Sequence, residues 1–231
     1  MPQRYQTVLF DFGGTLDSDG VAWKGRVHNH YRAEGLAMSA ADFAPAFYAA
    51  DDRLVGTIPQ TANLSETIDV LTGNLEAGFA GPGVSPNEAR GRRAAARFMG
   101  EAEACFARNR PFLSELSRRY RLGIVSNFYG NLEAVCAGAG LAPFFGAMID
   151  SNRVGVEKPD PAIFEAALGP LGAVPQSTLF VGDSLRRDRE GARRMGMDFV
   201  WIAPAETQAG ETSAIDHPVF SRLTDLAPML S

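Results

Sequence analysis

Five short apolar runs, each ending at a polar residue or a turn, constrain the fold of this chain most strongly. The first is 7–10, which ends at Asp11 and a Gly-Gly pair, and the other four are 122–125, 147–149, 178–181 and 198–202. Their length and β-branched residues favour buried strands. Helical patterns separate the later runs, at 131–138, 161–168 and 187–195. Strands that alternate with helices form βαβ units, so the sequence predicts an α/β fold with a Rossmann-like parallel sheet.

The interval between the first two runs has a different pattern. No convincing strand interrupts it, and its residues suit four helices, at 23–34, 40–50, 64–75 and 86–107. Glycines and prolines mark the turns between these helices. The sequence therefore predicts a discontinuous α/β core domain, 1–17 plus 111–231, and a helical cap domain, 18–110, inserted after the first strand.

Composition narrows the classes of protein. With 45% hydrophobic and 21% charged residues, the 231-residue chain has the balance of a folded globular protein. Its net charge of -5 argues against nucleic acid as a partner. No stretch approaches the roughly 18 apolar residues that a membrane helix needs, and two distant cysteines, Cys105 and Cys136, do not make a disulfide framework. We therefore expect a cytoplasmic protein with no membrane partner, and a surface loop at the polar stretch 206–217.

Four short polar segments stand at or near the ends of the predicted strands. They are Asp11-Phe12-Gly13-Gly14-Thr15, Ser126-Asn127, Lys158-Pro159 and Gly182-Asp183-Ser184, the last followed by Asp188. In an open α/β sheet, ligands bind outside the carboxyl ends of the strands. These segments therefore mark the place where a site is expected.

Taken in order, the four segments resemble the motifs of the haloacid dehalogenase (HAD) superfamily. That pattern has an apolar strand followed by Asp-x-Asp-Gly-Thr, a strand followed by Ser or Thr, a lysine, and a strand followed by Gly-Asp and a further Asp. Each motif alone is weak, whereas the four in this order are specific. The helical insert after the first motif is similar to the C1-type cap of some members, and the resemblance implies their Rossmann-like core.

The resemblance implies a magnesium-dependent phosphatase that acts on a small phosphorylated metabolite. Asp11 occupies the position of the nucleophile, and a carboxylate that attacks phosphorus forms an aspartyl-phosphate. By the same resemblance, Mg2+ would be held by Asp11, the backbone carbonyl of Gly13 and Asp183, with Asp188 behind them or bound through water. Such oxygen ligands suit a hard cation that offsets charge on phosphoryl oxygens.

The remaining motif residues are implied to bind the phosphoryl group. Lys158 would supply a fixed positive charge near the nucleophile. Ser126 and Asn127 would donate hydrogen bonds to a phosphoryl oxygen, so these three residues are expected to serve catalysis as well as substrate binding. Gly14 lets a backbone N–H approach an anion, and Thr15 would support the same loop.

Position 13 departs from the family pattern. Phosphatases of the family usually carry a second Asp there, which protonates the leaving alkoxide and then deprotonates the attacking water. Gly13 has no side chain, and general acid–base help is typically worth about 10²–10⁴-fold. Either the substrate has a good leaving group, such as an acyl or aryl phosphate, or another residue replaces the acid. The nearby candidates are Asp17, which is the best placed, and Asp19, His28 and His30.

Gly13 also leaves other functions open. Haloacid dehalogenases of the superfamily attack carbon with the same Asp and need no metal. Phosphonate hydrolases use a cap lysine as a Schiff base, and Lys24 is the only lysine of the predicted cap. A binding protein on a retired catalytic core is a third alternative. The acid pair Asp183 and Asp188 favours the metal-dependent form, and the presence of Asp11 argues against full retirement, so phosphatase is the first choice.

Substrate selection is expected to depend on the cap, which closes over the site and excludes water. The residues expected to face the pocket are Trp23, His28, Tyr31, Tyr48, Arg53 and Arg97, with Phe128 and Tyr129 at the entrance.

Overall fold

The fold is built on one parallel sheet of six strands. The computed structural model describes residues 4–80, 85–205 and 217–230, and these contain the whole of this sheet. The strands are β1 (Thr7–Phe10), β2 (Arg121–Ser126), β3 (Ala147–Asp150), β4 (Thr178–Gly182), β5 (Asp198–Ile202) and β6 (Val219–Phe220). Their order across the sheet is β3-β2-β1-β4-β5-β6, with every neighbouring pair parallel. The predicted Rossmann-like sheet is confirmed, with the short β6 as an unpredicted addition.

Helices connect the strands and fill the long interval after β1. They are α1 (Trp23–Ala33), α2 (Ala40–Asp52), α3 (Leu64–Phe79), α4 (Glu88–Leu116), α5 (Leu132–Gly138), α6 (Ser151–Val154), α7 (Pro161–Leu171) and α8 (Glu190–Met195). A π-helical turn, Leu185–Arg189, leads into α8. Pro161 is the first residue of α7, where its missing N–H has no helical partner to lose.

The insert between β1 and β2 consists of the four predicted helices. Its third helix begins with a capping box, in which Asn63 and Glu66 satisfy each other's backbone N–H groups. Its fourth helix continues to Leu116, past the predicted cap boundary at 110. The division into two domains at the predicted limits stays a prediction. No helix of the described ranges is long and apolar enough to span a membrane, and 206–216 of the expected surface loop lie outside those ranges.

The sheet separates two apolar cores. Val8 and Phe10 of β1 pack into one of them, while Leu9 packs into the other, as the alternation of side chains along a strand requires. The first core also contains residues of the helical insert, Trp23 and Phe98 among them. The insert is therefore packed onto the sheet by continuous apolar contact next to the end of β1.

The strand order brings the polar segments together. In the centre of the sheet, β1 lies between β2 and β4, and Phe10 is in register with both Ile124 and Val181. The residues that follow these three strands therefore leave the same edge of the sheet side by side, as expected for a ligand site in an open α/β fold.

Candidate active site

Asp11 is the centre of a cluster of charged groups at the carboxyl edge of the sheet. Its side chain is 10% exposed. Its Oδ1 accepts a hydrogen bond of 2.8 Å from the Ser126 hydroxyl and lies 2.8 Å from the Lys158 ammonium. Both contacts fall on the same oxygen and fix the carboxylate. Within the described residues, these contacts leave Oδ2 open to a ligand. A fixed carboxylate with one open oxygen is suited to nucleophilic attack.

Lys158 is buried between two carboxylates. Its ammonium lies 2.7 Å from Asp188 Oδ1 and 5.5 Å from the centre of the Phe180 ring, in addition to its contact with Asp11. Burial acts to lower the pKa of Lys158, but the charges of Asp11 and Asp188 outweigh it and the net shift is upward. The lysine is thus held as a cation beside the carboxylate that the sequence identified as the nucleophile.

The side-chain amide of Asn127 fixes the backbone of Lys158. Its Oδ1 accepts from the Lys158 N–H at 2.8 Å, and its Nδ2 donates to the Lys158 carbonyl at 3.3 Å. Asn127 thus holds the backbone of Lys158 in place. The second hydrogen of its Nδ2 is left over, so binding of a phosphoryl oxygen by this side chain stays a prediction.

Asp188 is fully buried and fixes the loop after β4. Its Oδ1 accepts from Lys158, and its Oδ2 accepts from the Ser184 N–H at 2.9 Å. Burial raises the pKa of Asp188 to about 6, against the opposing effect of Lys158. A Cβ at Gly182 would overlap this carboxylate, so the glycine that ends β4 is required by the close approach of Asp188.

Asp183 completes a group of carboxylates that could hold a metal ion. Ligand atoms of Asp11, Asp183 and Asp188 all lie within 4.8 Å of one another. Burial, followed by the charges of Asp11 and Asp188, raises the pKa of Asp183 well above its usual value. A Cβ at Gly14 would overlap the Asp183 carboxylate. Crowded carboxylates with excess negative charge are the oxygen ligands that a hard divalent cation neutralises, so the donor set fits Mg2+.

The first loop is stabilised from within by Asp17. Its Oδ1 accepts from the Gly14 N–H at 2.7 Å, and its Oδ2 accepts at 2.7 Å from both Trp23 Nε1 and Arg26 Nη1. The guanidinium of Arg26 also stacks 3.8 Å from the centre of the Phe98 ring. Asp17 is fully buried and links the loop to α1 of the insert. The Gly14 N–H is therefore engaged, and the predicted approach of that N–H to a phosphate has no support in the structure.

Thr15 differs from its loop neighbours. Its side chain is fully buried, and its hydroxyl has no hydrogen-bond partner among the described residues. The Thr15 N–H donates to the Phe12 carbonyl at 3.2 Å, which closes the turn after β1. The backbone contact agrees with the expected support of the loop, while substrate binding by Thr15 stays a prediction, as does metal binding by the Gly13 carbonyl.

Trp23 covers the loop at Gly13. A Cβ at Gly13 would lie 3.1 Å from Trp23 Nε1. The indole in turn packs edge-on against Phe98, with ring centres 5.3 Å apart, and against Phe128, at 5.7 Å, while Tyr129 lies at 6.1 Å. The space beside the loop after β1 that a side chain at position 13 would enter is thus narrowed by Trp23, which is held by aromatic residues of the insert and of the loop after β2.

A second contact between insert and core was not expected from the sequence. The Tyr129 hydroxyl donates to Asp51 at the end of α2. Burial raises the pKa of Asp51, and burial followed by the Asp51 charge raises the pKa of Tyr129 well above 10. The pair joins the insert to the loop after β2 on the side of the aromatic cluster.

The other side chains expected in the pocket or as the missing acid have partners of their own. His28 bonds the Met38 carbonyl, His30 bonds Glu101, Tyr31 donates to the Thr72 carbonyl, Lys24 donates to Tyr48, Arg97 pairs with Glu34 and Asp19 pairs with Arg108. Arg53 is exposed at the end of α2. Of the cap residues expected to face the pocket, Trp23 is the one that lies against the loop after β1, within the part of the chain that the structure describes.

Comparisons with known proteins identify the family. The model of the haloacid dehalogenase-like hydrolase family matches residues 5–196. Since this covers most of the chain, the protein belongs to that family. It is a hydrolase with a Rossmann-like core, in agreement with the motifs and the buried carboxylate cluster.

Curated relatives include phosphatases and a dehalogenase. The chain is 39% identical over 93 residues to phosphoserine phosphatase of Thermus thermophilus, covering 39% of this chain and 37% of the relative. It is 32% identical over 120 residues to glyceraldehyde 3-phosphate phosphatase of Methanothermobacter thermautotrophicus, covering 49% and 53%. It is 34% identical over 114 residues to (S)-2-haloacid dehalogenase 2 of a Pseudomonas species, covering 48% of each. The matches thus span about a third to a half of these relatives.

Solved structures agree on the fold over nearly the whole chain. The HAD-hydrolase YfnB from Bacillus subtilis has a TM-score of 0.56 and 22% identity, with 98% of this chain and 99% of that chain covered. L-2-haloacid dehalogenase from Xanthobacter autotrophicus has a TM-score of 0.58 and 21% identity, with 98% of each covered. At these identities the likeness establishes the architecture alone.

Proposed function

We propose that this chain is a magnesium-dependent phosphatase that hydrolyses a small phosphorylated metabolite through an aspartyl-phosphate on Asp11. One observation carries the proposal. A single oxygen of Asp11 is fixed by Ser126 and Lys158, while the carboxylate itself lies in a cluster with Asp183 and Asp188. Relatives named as phosphatases support the same reaction class.

In the first half-reaction, Asp11 Oδ2 attacks phosphorus, and the bond from phosphorus to the leaving oxygen breaks. The Lys158 ammonium offsets negative charge near the transferred group, and the Ser126 hydroxyl fixes the orientation of the attacking carboxylate. In the second half-reaction, water attacks phosphorus, phosphate departs and the Asp11 carboxylate is regenerated. The proton of that water passes to solvent, because Gly13 offers no base.

When bound, Mg2+ supplies positive charge that offsets the negative charge of the phosphoryl oxygens. Asp11, Asp183 and the Gly13 carbonyl are the proposed ligands, and they fit because the three clustered carboxylates are only partly neutralised by Lys158. Asp188, whose two oxygens already accept hydrogen bonds, would hold Lys158 in place behind the metal.

The experiment is hydrolysis of 4-nitrophenyl phosphate with Mg2+ and with EDTA. The phenolate needs no protonation to leave, so turnover is expected with Mg2+ and its loss with EDTA. An Asp11→Asn variant is expected to lose at least about 10³-fold in kcat. Asp52→Asn is the matched control, because Asp52 is an exposed carboxylate at the end of α2. Undiminished turnover by Asp11→Asn would refute the assignment of the nucleophile.

A haloacid dehalogenase is the second candidate, and the Pseudomonas relative is the observation that favours it. Chloride release from 2-chloropropionate in EDTA would support it over the phosphatase. The C–P hydrolase alternative is weakened because the Lys24 ammonium donates to the exposed Tyr48 at 2.8 Å and lies over its ring. Phosphate binding without any turnover would favour a retired catalytic core.

We also propose that the protein acts in the cytoplasm. Cys105 and Cys136 are both buried and free, which suits a reducing compartment. Fractionation of the source cells, with an antibody against the chain, tests this location.

A further inference from the structure

The Trp23 indole crowds the space beside Gly13, where the usual acid/base Asp would begin. An acid/base side chain at position 13 would extend from a Cβ that, if added, lies 3.1 Å from Trp23 Nε1 and 3.4 Å from its Cδ1. Trp23 is only 8% exposed and cannot swing aside without breaking its 2.7 Å bond to Asp17 and its contacts with Phe98 and Phe128. The space beside Gly13 is therefore bounded by a fixed side chain whose nearest atom, Nε1, already donates to Asp17.

Asp17, the best placed of the candidates for a substitute acid, is committed to that arrangement. It is fully buried and accepts three hydrogen bonds at 2.7 Å, from the Gly14 N–H, Trp23 Nε1 and Arg26 Nη1. His28 and His30 bond Met38 and Glu101 instead of the site. Asp19, the fourth candidate for a substitute acid, is paired with Arg108. Within the described ranges, each of the four candidates is thus engaged with a partner other than a leaving group.

We propose that the physiological substrate is a phosphate of a weakly basic, planar leaving group, an aryl or acyl phosphate, whose anion departs without a proton and rests against Trp23. The inference rests on the proposed function and names its substrate class. Trp23 is then a specificity-determining residue, and Asp17 is the positioning residue that holds it. Alkyl phosphates are excluded as good substrates because an alkoxide cannot leave readily without protonation.

The step balances without an acid. The Asp11 carboxylate forms a bond to phosphorus, the bond from phosphorus to the leaving oxygen breaks, and the electron pair departs with a carboxylate or phenolate. Water then attacks the aspartyl-phosphate, inorganic phosphate leaves with the water oxygen, and one proton is released to solvent or carried by the phosphate. No oxidant, reductant or co-substrate other than water is consumed.

The test compares four substrates on the full-length protein with Mg2+: 4-nitrophenyl phosphate, phenyl phosphate, acetyl phosphate and phosphoserine. We expect kcat/KM to fall as the basicity of the leaving group rises. Phosphoserine, an alkyl ester, is expected to fall about 10²–10⁴-fold below 4-nitrophenyl phosphate and acetyl phosphate. Phenyl phosphate, with a leaving phenol of pKa about 10, should lie between them.

Variants of Trp23 test the aromatic contact separately from the chemistry. Trp23→Ala should raise KM for 4-nitrophenyl phosphate by about 2–10-fold, the equivalent of one lost ring contact, with a smaller change for acetyl phosphate, which has no ring. Trp23→Phe keeps a ring and should recover most of the KM. Lys24→Ala is the matched control on the same helix, since its side chain contacts Tyr48 at the surface. Equal changes for both substrates would reduce Trp23 to a structural role and overturn its assignment.

The double variant Gly13→Asp with Trp23→Ala makes room for an acid. It is expected to raise the ratio of phosphoserine to 4-nitrophenyl phosphate turnover, whatever its absolute rate. Wild-type hydrolysis of phosphoserine within tenfold of 4-nitrophenyl phosphate would overturn the inference while leaving the phosphatase proposal intact; loss of that activity in Asp51→Asn would then assign the proton to Asp51. Failure of all four substrates in folded protein would refute the proposed function itself.

Discussion

Replacing Asp183 by Asn should stabilise the metal-free protein, although the change removes a charged group from the candidate site. Ligand atoms of Asp183, Asp11 and Asp188 lie within 4.8 Å of one another, with the single ammonium of Lys158 to offset them. Asp183 therefore faces an excess of one like charge. At about 4 Å and an effective dielectric constant of about 20, one such pair costs about 4 kcal/mol, which sets an upper limit. Because Asp183 is partly exposed, we expect a gain of about 1–3 kcal/mol.

The assay is thermal unfolding in EDTA and in Mg2+. For a chain of this size, 1 kcal/mol corresponds to roughly 2–4 °C, so the melting temperature of Asp183→Asn should rise by roughly 2–12 °C in EDTA. Wild-type protein should gain about 2.7 kcal/mol from Mg2+ at 100 times its dissociation constant, and the variant should lose most of that gain. Asp52→Asn serves as the control, because it makes the same chemical change at an exposed site.

Two results would contradict the predicted repulsion and metal binding at Asp183. If Asp183→Asn were less stable than the wild type in EDTA, the carboxylates would not repel one another in a shared cleft. If Mg2+ stabilised the variant as much as the wild type, the ion would bind somewhere other than this cluster. Both outcomes are read against Asp52→Asn, so a general effect of charge removal is accounted for.

Three further predictions concern pH and the contacts between insert and core. The folded-state pKa of Asp183 is raised above its ordinary value of 3.8, so its charge destabilises the metal-free protein at neutral pH. In EDTA, the free energy of unfolding should therefore rise as the pH falls from 7 towards 5. This rise should be smaller in Asp183→Asn. Asp17→Ala should destabilise the protein by about 3–5 kcal/mol, because the buried Arg26 loses its buried carboxylate partner and keeps the exposed Glu101 at 3.5 Å. Urea unfolding should show that the double change with Arg26→Met costs less than Asp17→Ala alone. Tyr129→Phe removes the hydrogen bond to Asp51 that joins the insert to the loop after β2. If this contact helps the insert close over the site, KM and kcat for 4-nitrophenyl phosphate should both change, while stability falls by only about 1–3 kcal/mol. Unchanged kinetics would show that the contact is structural only.

The strands were predictable because each had to be buried on both faces. The run 178–181 is apolar except for Thr178, as suits the centre of a parallel sheet, and it forms β4 with one added residue, Gly182. The two-residue β6 could not be predicted, since Val219–Phe220 is too short to carry a pattern. The end of α4 was set too early because Pro111 interrupts the helical pattern, yet the helix continues through it to Leu116.

The candidate site was predictable where strand order alone decides position. Asp11 and Asp183 follow β1 and β4, and Ser126 ends β2; since β1 lies between β2 and β4, the parallel sheet places the three at one edge. The role of Asp17 could not be read in the same way, because its partners Trp23 and Arg26 come from a helix whose orientation depends on tertiary packing. The sequence pointed to Asp17 as a substitute acid, whereas the structure gives it three hydrogen bonds that hold the cap tryptophan over the loop.

The link between Tyr129 and Asp51 was missed for a related reason. The two residues lie on separate elements, the loop after β2 and the end of α2, and no periodicity connects them. The sequence placed Tyr129 at the entrance from its position after Ser126 and Asn127. Which insert residue would meet it depended on how the helices pack, and this only the structure supplies.

Capture of the phosphorylated protein would show directly whether Asp11 is the nucleophile. Protein is mixed with 4-nitrophenyl phosphate and Mg2+, quenched in acid within the first turnovers and digested for mass spectrometry. We predict that phosphate is found on Asp11, and that it accumulates with an initial burst of phenolate because no base at position 13 speeds the attack of water. Steady turnover with no phosphate on Asp11, or with phosphate on a different residue, would contradict nucleophilic attack by Asp11.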